Sequence, residues 1–261
     1  MSVPFSPRRE LGQHFLVDEN VLGVIGRLAE LAPDDVVLEV GPGLGVLTTY
    51  LADRVARVHA VEIDEALEPH LRRRLAGCAN VELVFADALA VPLDGFDPPP
   101  GKIVANLPYS IATPLLAESL GSLPAVRLWC VMVQREVADR LFARPGTRSY
   151  GAVSVLVQLT AERTGFHPVS RTCFRPPPNV DSALVSFRRR REWGPELRRL
   201  REVVRGAFAH RRKTLANSLE LSGTASREGA AAALGELGHR SSVRAEALAP
   251  EEFVRLAGLL A

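Results

Sequence analysis

Cysteine is scarce in this chain of 261 residues, which has only Cys78, Cys130 and Cys173. An odd, scattered set does not make a disulfide framework and is typical of reduced thiols in the cytoplasm. Neither Cys-x-x-Cys nor His-Glu-x-x-His spacing occurs, so the sequence predicts no metal site. A chain of this length can bury a sizeable core without such cross-links.

Long apolar runs are also missing. No stretch approaches the roughly 18 apolar residues that a membrane-spanning helix requires. The first 13 residues include Arg8, Arg9 and Glu10 but no apolar core, which argues against a signal peptide. We therefore expect a cytoplasmic protein with no membrane partner.

The chain has almost no net charge and almost no lysine. Its 32 basic and 30 acidic residues leave a net charge of +2, and only Lys102 and Lys213 are lysines. This balance excludes a strongly basic protein that coats nucleic acid indiscriminately. Any nucleic-acid contact must therefore come from an uneven distribution of the charge.

Alternating strand and helix patterns fill the first part of the chain. The predicted strands cover residues 36–40, 57–63, 81–85, 102–106 and 128–134. Strands separated by helices form βαβ units and a mostly parallel sheet. Residues 151–161 fit either a strand or a buried helix, and we favour the helix. Residues 164–169 and 183–188 then complete a seven-stranded sheet of an α/β, Rossmann-like fold.

The pattern changes after residue 188, where only helical periodicity follows. We therefore predict two domains, an α/β domain over residues 1–188 and a small all-helical domain over residues 189–261.

A glycine-rich turn, Gly41–Gly45, directly follows the first predicted strand of the sheet and precedes a helix. Glycines let a ligand approach the backbone, and the helix N-terminus offers free N–H groups. Glu62 ends the next strand, where a carboxylate can accept hydrogen bonds from ribose hydroxyls. These features suit either a dinucleotide or S-adenosylmethionine.

Two details favour S-adenosylmethionine. The spacing is G-x-G-x-G, which lacks the third glycine of the dinucleotide fingerprint. The third strand ends at Asp87, followed by Ala88, and an acid there can accept a hydrogen bond from an adenine amino group. Glu39, inside the first strand, is interpreted as support for the glycine turn.

The tetrapeptide Asn106-Leu107-Pro108-Tyr109 ends the fourth predicted strand. The Asn106 side-chain oxygen and the Leu107 carbonyl can accept the two hydrogens of an exocyclic base amine, which aims its lone pair at a methyl donor. Tyr109 can stack on an extruded base, and Pro108 fixes the backbone. The plainer interpretation is a turn after a strand; the position at the carboxyl end of a central strand favours the functional one.

In this order of motifs the chain resembles the ribosomal RNA adenine N6,N6-dimethyltransferases. The segments that carry the resemblance are residues 13–16, 41–45, 62–64, 87–88, 106–109 and 174–182. Residues 149–155 and 207–219 resemble the small-subunit branch of that family. His14 stands where asparagine is commoner in the family.

The resemblance implies a class I methyltransferase domain over residues 1–188, with S-adenosylmethionine as cofactor and two adjacent adenosines near the 3′ end of small-subunit RNA as substrate. The cofactor-binding residues are then Gln13, His14, Leu16, Gly41, Gly43, Glu62, Ile63, Asp87, Ala88 and Asn106. The catalytic residues are Asn106, Leu107, Pro108, Tyr109 and Phe174, with Tyr109 and Phe174 on either side of the target base.

The charge is divided unevenly along the chain. Residues 1–180 have a net charge of −3, whereas residues 181–213 hold 11 basic and 4 acidic residues. Clustered cations release counterions from a phosphate backbone. We therefore predict RNA contacts in this segment. The residues concerned are Arg188, Arg189, Arg211, Arg212 and Lys213.

The predicted partners are the small ribosomal subunit and its RNA, bound by a monomer. Three alternatives remain at this point. A resistance-type methyltransferase of large-subunit RNA shares the cofactor motifs. A ribosome-assembly factor would bind immature subunits and methylate only secondarily. A dehydrogenase would need a dinucleotide.

Overall fold

The computed structural model describes residue 8, residues 13–192, residue 194 and residues 196–260. The chain divides into two compact units. The first takes its described residues from the stretches 1–138 and 163–189, and the second from 139–162 and 190–261.

The first stretch of the chain alternates strands and helices. In chain order they are β1 (Phe15–Leu16), α1 (Glu19–Leu28), β2 (Val36–Val40), α2 (Val46–Ala52), β3 (Arg57–Glu62), α3 (Glu68–Arg74), β4 (Val81–Phe85), β5 (Lys102–Asn106), α4 (Ala112–Ser122) and β6 (Leu128–Gln134). The remaining elements are α5 (Arg135–Leu141), α6 (Ala152–Thr160), β7 (Ala161–Val169), β8 (Phe174–Arg175), β9 (Ser182–Arg189), α7 (Glu196–Ala209), α8 (Leu215–Leu221), α9 (Arg227–Glu236) and α10 (Pro250–Leu259). Short 3₁₀ turns cover Glu65–Leu67, Leu93–Gly95, Arg171–Cys173 and Ala245–Ala247.

Seven strands form one sheet in the order β4-β3-β2-β5-β6-β9-β7. Strands β2 to β6 pair in parallel, and β9 runs antiparallel to β6. The predicted seven-stranded, mostly parallel sheet is confirmed, as are the two closing strands and the helix over 151–161. The two-residue strands β1 and β8 form a separate antiparallel pair.

The sheet fixes where a ligand can bind. Strands β2, β5 and β6 are apolar and almost wholly buried, as expected of parallel strands covered on both faces. Strand β2 lies between β3 and β5, so the strand order reverses at β2. Open parallel sheets bind ligands at the carboxyl ends of the strands beside such a reversal. Gly41, Glu62 and Asn106 all lie at these ends.

The second unit is built around helices α6 to α10. Helix α7 buries Leu200, Val203 and Val204, and α6 contacts both α7 and α10. The buried Tyr150 donates its hydroxyl hydrogen to Leu248 O over 2.9 Å. This unit also contains residues 139–162, which the sequence analysis assigned to the first domain, because α6 packs its apolar side chains against helices from the C-terminal part.

Within the described part of the chain, no helix is both long enough and apolar enough to cross a membrane.

Candidate active site

A cleft opens at the carboxyl edge of the sheet and gathers most of the residues that the sequence singled out. Its lining includes Gln13, His14, Gly41, Gly43, Glu62, Ile63, Asp87, Ala88, Asn106, Leu107, Pro108 and Tyr109. These residues come from five separate segments, which the parallel sheet brings to one edge. Leu16 and Phe174 are the two predicted residues of this site that do not line the cleft.

The glycine turn needs glycine for both conformation and space. Gly41 and Gly43 have φ angles of +76° and +58°, a region that side chains rarely adopt. A Cβ atom on Gly41 would lie 3.0 Å from Pro108 Cδ, and one on Gly43 would lie 3.0 Å from Phe15 Cδ1. The turn therefore lies directly against the Asn106–Tyr109 motif on one side and the β1 segment on the other.

Backbone amides fix the Glu62 carboxyl group in the cleft. Oε2 of Glu62 accepts a hydrogen bond from Gly43 N, and Oε1 accepts one from Asp64 N, both over 3.0 Å. Burial raises the pKa of Glu62, while the amides of Asp64, Gly43 and Ile63 partly offset this by stabilising the charged form. The carboxyl group is thus held in one orientation at the end of β3.

Glu39 is 1% exposed and lies on β2, two residues before Gly41. Burial raises its pKa to about 8, against a lowering influence of the Thr48 hydroxyl and with added repulsion from Glu62. Its Oε2 atom has no hydrogen-bond partner among the described residues. Glu39 does not line the cleft, so this buried oxygen lies in the strand that leads into the glycine turn.

Asp87 lies at the exposed rim of the cleft. Its Oδ1 accepts a hydrogen bond from Leu89 N over 2.8 Å, so the residue forms the turn after β4. Asp87 can form this turn and also accept a hydrogen bond from a ligand in the cleft, because a carboxylate can accept several hydrogen bonds.

The Asn106 side chain is oriented by the segment before β1. Its Nδ2 donates to His14 O over 3.2 Å, and Leu107 N donates to Met132 O on the neighbouring strand over 3.0 Å. Because the amide nitrogen of Asn106 is held by His14, its Oδ1 is the atom left to accept hydrogens from a ligand.

Tyr109 is held by a residue for which the sequence analysis assigned no role. The Tyr109 hydroxyl and the buried Ser182 Oγ are 2.7 Å apart, which fixes the tyrosine ring at the cleft. Burial raises the pKa of Tyr109, with Asp181 adding to the effect and Ser182 opposing it, so the ring stays neutral at physiological pH. The only sequence signal that pointed to Ser182 was its position as the last residue of the 174–182 motif.

A strap formed by residues 13–16 crosses the cleft and is tied at both ends. Gln13 Nε2 donates to Asp64 Oδ2 over 2.7 Å, and Arg8 Nη1 lies 3.2 Å from Asp64 Oδ1. His14 Nδ1 donates to Pro176 O over 2.8 Å. Asp64, whose side chain is fully buried, is a second positioning residue that the sequence analysis quoted only as part of a motif.

Phe174 and Leu16 hold the other end of the strap. They are register partners in the β1–β8 pair and pack in the hydrophobic core, where Phe174 is 0% exposed. Phe174 therefore does not line the cleft in this structure, and its stacking on a target base stays a prediction. Leu16 packs in the hydrophobic core, and its contact with a cofactor stays a prediction.

The predicted RNA-binding arginines serve different purposes. Arg189 donates to Val126 O, Leu120 O and Leu123 O over 2.8–3.1 Å, so it stabilises the carboxyl end of α4. Arg188 forms an ion pair with Glu30 over 2.5 Å. Both side chains make contacts within the first unit, and their binding to RNA stays a prediction.

Residues 211–213 of the second unit are exposed. Arg211 Nη2 donates to Arg148 O and Tyr150 O over 3.0 and 2.9 Å, so its guanidinium also secures the turn before α6. Arg212 and Lys213 remain the strongest phosphate-binding candidates of the predicted set.

Among the described residues no cluster of His, Cys, Asp or Glu side chains could hold a metal ion.

Comparison with known proteins identifies the family. The ribosomal RNA adenine dimethylase family matches residues 5–261. Ribosomal RNA small subunit methyltransferase A of Rubrobacter xylanophilus is 46% identical over 250 residues, covering 96% of this chain and 94% of that protein. The protein of the same name from Kineococcus radiotolerans is 46% identical over 261 residues, covering 96% and 85%.

Two solved structures are similar over almost their whole length. A dimethyladenosine transferase from Plasmodium falciparum is 25% identical, with a TM-score of 0.73, covering 93% of this chain and 96% of that one. The 23S rRNA methyltransferase ErmE is 33% identical, with a TM-score of 0.64, covering 94% and 99%. The chain belongs to the ribosomal RNA adenine dimethylase family.

Proposed function

We propose that this enzyme transfers methyl groups from S-adenosylmethionine to the N6 amines of two adjacent adenosines near the 3′ end of small-subunit ribosomal RNA, which converts each to N6,N6-dimethyladenosine. The observation that carries the proposal is the contact between the glycine turn and the Asn106–Tyr109 motif, where Gly41 lies against Pro108. A donor held by the turn and an acceptor held by the motif would meet there.

The residues that line the cleft support S-adenosylmethionine as the cofactor. The Gly41–Gly43 turn would hold the methionine part. Glu62 would accept the ribose hydroxyls, and Asp87 the adenine amino group. Ile63, an apolar side chain that is 51% exposed, would contact the adenine face. When bound, S-adenosylmethionine supplies a methyl group already activated by its positive sulfur.

The acceptor side of the reaction is a matter of positioning. Asn106 Oδ1 and the Leu107 carbonyl oxygen would accept the two N6 hydrogens of the target adenine. This draws the nitrogen toward tetrahedral geometry and aims its lone pair at the methyl group. Tyr109 would stack on the base that has been extruded from its RNA. The methylated amine is acidic enough to lose its proton to water, so no general base is required.

The choice of the small subunit rests on the curated relatives, which are named for it and are 46% identical to this chain. The second unit would supply the RNA contact outside the cleft, through the exposed Arg212 and Lys213. Such cations add affinity for phosphate without reading sequence.

The direct test is transfer of labelled methyl groups to purified small and large ribosomal subunits that lack the modification. We expect label in the small subunit only, mapped to two neighbouring adenosines in a hairpin loop. Label in the large subunit would favour the resistance-type reaction. Stable binding to the small subunit without any label would favour an assembly factor.

A further inference from the structure

A second cleft lies next to the candidate active site in the first unit. One side is formed by Gln134 and Arg135, where β6 passes into α5. The other side is formed by Arg171 and by Asn179–Asp181, in the loop between β7 and β9. None of these residues has a role in holding the cofactor or the reacting amine.

The second cleft shares a wall with the base-stacking tyrosine. Ser182 is the register partner of Gln134 in the β6–β9 pair and directly follows Asp181. The hydroxyl of Ser182 is the group that holds Tyr109, over 2.7 Å. A base stacked on Tyr109 would therefore have this cleft as its neighbour.

Hydrogen bonds to Asp181 connect the two sides of the cleft. Asp181 Oδ1 accepts from Arg171 N over 3.1 Å, and Asp181 O accepts from Arg135 N over 3.0 Å. The Arg135 guanidinium lies 4.9 Å from the centre of the Phe166 ring. Both sides of the cleft are thus tied to one residue, Asp181, through its side chain and its backbone carbonyl group.

The exposed groups of the cleft have the chemistry of a nucleotide site. Arg171 and Asn179 are exposed, and Val180 is 46% exposed. A guanidinium binds phosphate, a side-chain amide pairs with base edges, and an apolar side chain covers a ribose or base face. The acids Glu136 and Asp181 make the cleft too mixed in charge for a purely anionic ligand but suit one with amino or hydroxyl donors.

We propose that this cleft binds the nucleotide next in the RNA strand to the adenosine being methylated, with Arg171 on the connecting phosphate and Asn179 on the base edge. This inference rests on the proposed function. An extruded base remains attached through its ribose and phosphates, so its neighbour must lie at the mouth of the active site. The cleft beside Ser182 is the built surface at that place.

The test compares initial rates of methyl transfer to unmethylated small subunits by the full-length enzyme and by Arg171→Ala and Asn179→Ala. Arg73→Ala is the matched control, because Arg73 is also exposed in the first unit but lies on α3 and does not line this cleft. We expect each cleft variant to raise KM for the subunit about tenfold, which corresponds to one lost polar contact. The value of kcat and the Kd for S-adenosylmethionine should stay unchanged.

Arg171→Ala should also lower the slope of log KM against log salt concentration by about one, whereas Asn179→Ala should leave that slope unchanged. Substituting the base beside the target should raise KM for the subunit about tenfold with the unaltered enzyme. With Asn179→Ala, the same base substitution should raise KM little further. That non-additivity would tie Asn179 to the neighbouring nucleotide.

The proposal is wrong if Arg171→Ala and Asn179→Ala leave KM as Arg73→Ala does. It is also wrong if these two variants change kcat or the Kd for S-adenosylmethionine and not KM, because a merely structural role would alter those two quantities. Absence of methyl transfer by the unaltered enzyme would overturn the proposed function instead, so the two failures are distinguishable.

Discussion

At the residue scale, two buried glutamates near the glycine turn differ in how they are satisfied. Glu62 has both carboxyl oxygens bonded to backbone amides, whereas Glu39 has one oxygen without a partner among the described residues. Glu62 is therefore oriented before a ligand arrives, and Glu39 is held in a costly environment. The two predict different measurable consequences.

Glu39→Gln should change how stability depends on pH. In the folded protein the pKa of Glu39 is raised from 4.5 to about 8, so the folded state keeps a proton that the unfolded chain loses. Wild-type stability therefore loses up to about 1.4 kcal/mol per pH unit as pH rises between these two values, and nothing further above the higher one. Glutamine has no such proton. Urea unfolding should show the variant gaining about 3 kcal/mol relative to wild type between pH 5 and pH 8.

Because all other titrating groups are common to both proteins, the difference between them isolates Glu39. A difference in the free energy of unfolding that stays constant across this pH range would show that Glu39 is ionised when buried.

Glu62→Gln should weaken cofactor binding. The substitution keeps the shape but removes the charge and one of the two acceptors that face the backbone amides. A hydrogen bond to a charged group contributes about 1.5–3 kcal/mol, so the Kd for S-adenosylmethionine should rise roughly 10- to 100-fold. Titration calorimetry measures it. Glu65→Gln, on the same loop but exposed, is the control and should leave the Kd unchanged. An unaltered Kd in Glu62→Gln would remove this residue from the ribose site.

Sequence reasoning at this scale predicted the cleft residues that lie at strand ends. Glu62, Asp87 and Asn106 were identified because a parallel sheet brings such ends together. It could not predict the contacts of Arg189 or Ser182, because these depend on long-range strand pairing that no local spacing reveals. The pairing of Phe174 with Leu16 was not predicted for the same reason.

At the scale of elements, the strap over the cleft is the feature that links cofactor and acceptor sites. It orients Asn106 through His14 O, contacts Gly43 through Phe15, and is anchored by Gln13 on Asp64. A segment with so many ties to both halves of the cleft should control how long a cofactor remains bound.

Asp64→Asn and Gln13→Ala should each speed release of S-adenosylmethionine, by about tenfold for one lost charge-assisted hydrogen bond. Asparagine retains the capping bond that Asp64 accepts from Ala66 N, so the turn after β3 should remain intact. Stopped-flow displacement measures the release rate. The double variant should release the cofactor no faster than the faster single variant, because both remove the same contact. Fully additive effects on release would contradict a shared anchor.

The large elements were predictable and the small ones were not. Periodicity located the seven strands of the sheet and the helix α6. The two-residue strands β1 and β8 are too short to show a period, and they lie beside the proline-rich loop, so no sequence pattern marks their pairing.

At the scale of the whole molecule, the near-zero net charge results from an acidic and a basic part of the chain that nearly cancel. The first 180 residues are slightly acidic, and the basic surplus follows them in the sequence. Position along the chain did not show that Arg188 and Arg189 also make contacts within the first unit. Substituting the exposed residues Arg212 and Lys213 therefore tests whether the basic segment binds RNA phosphate.

Replacing Arg212 and Lys213 together by alanine should weaken binding to small-subunit RNA. It should also reduce the slope of the logarithm of the binding constant against the logarithm of the salt concentration by about two. The double variant Arg227→Ala, Arg240→Ala removes the same charge from exposed positions of the same unit and serves as the control. Binding measured between low and moderate salt gives both slopes. Equal slopes for the two double variants would show that residues 212 and 213 do not contact phosphate.

The most direct test of the central claim is the nucleoside content of small-subunit RNA after incubation with S-adenosylmethionine and either wild-type enzyme or Asn106→Ala. Mass spectrometry of the digested RNA should show about two N6,N6-dimethyladenosines per subunit with wild type. Asn106→Ala should lower the initial rate at least about 100-fold, as when one positioned polar group is removed from a reaction site, and the variant should still bind the subunit. Near-normal dimethylation by Asn106→Ala would contradict the account.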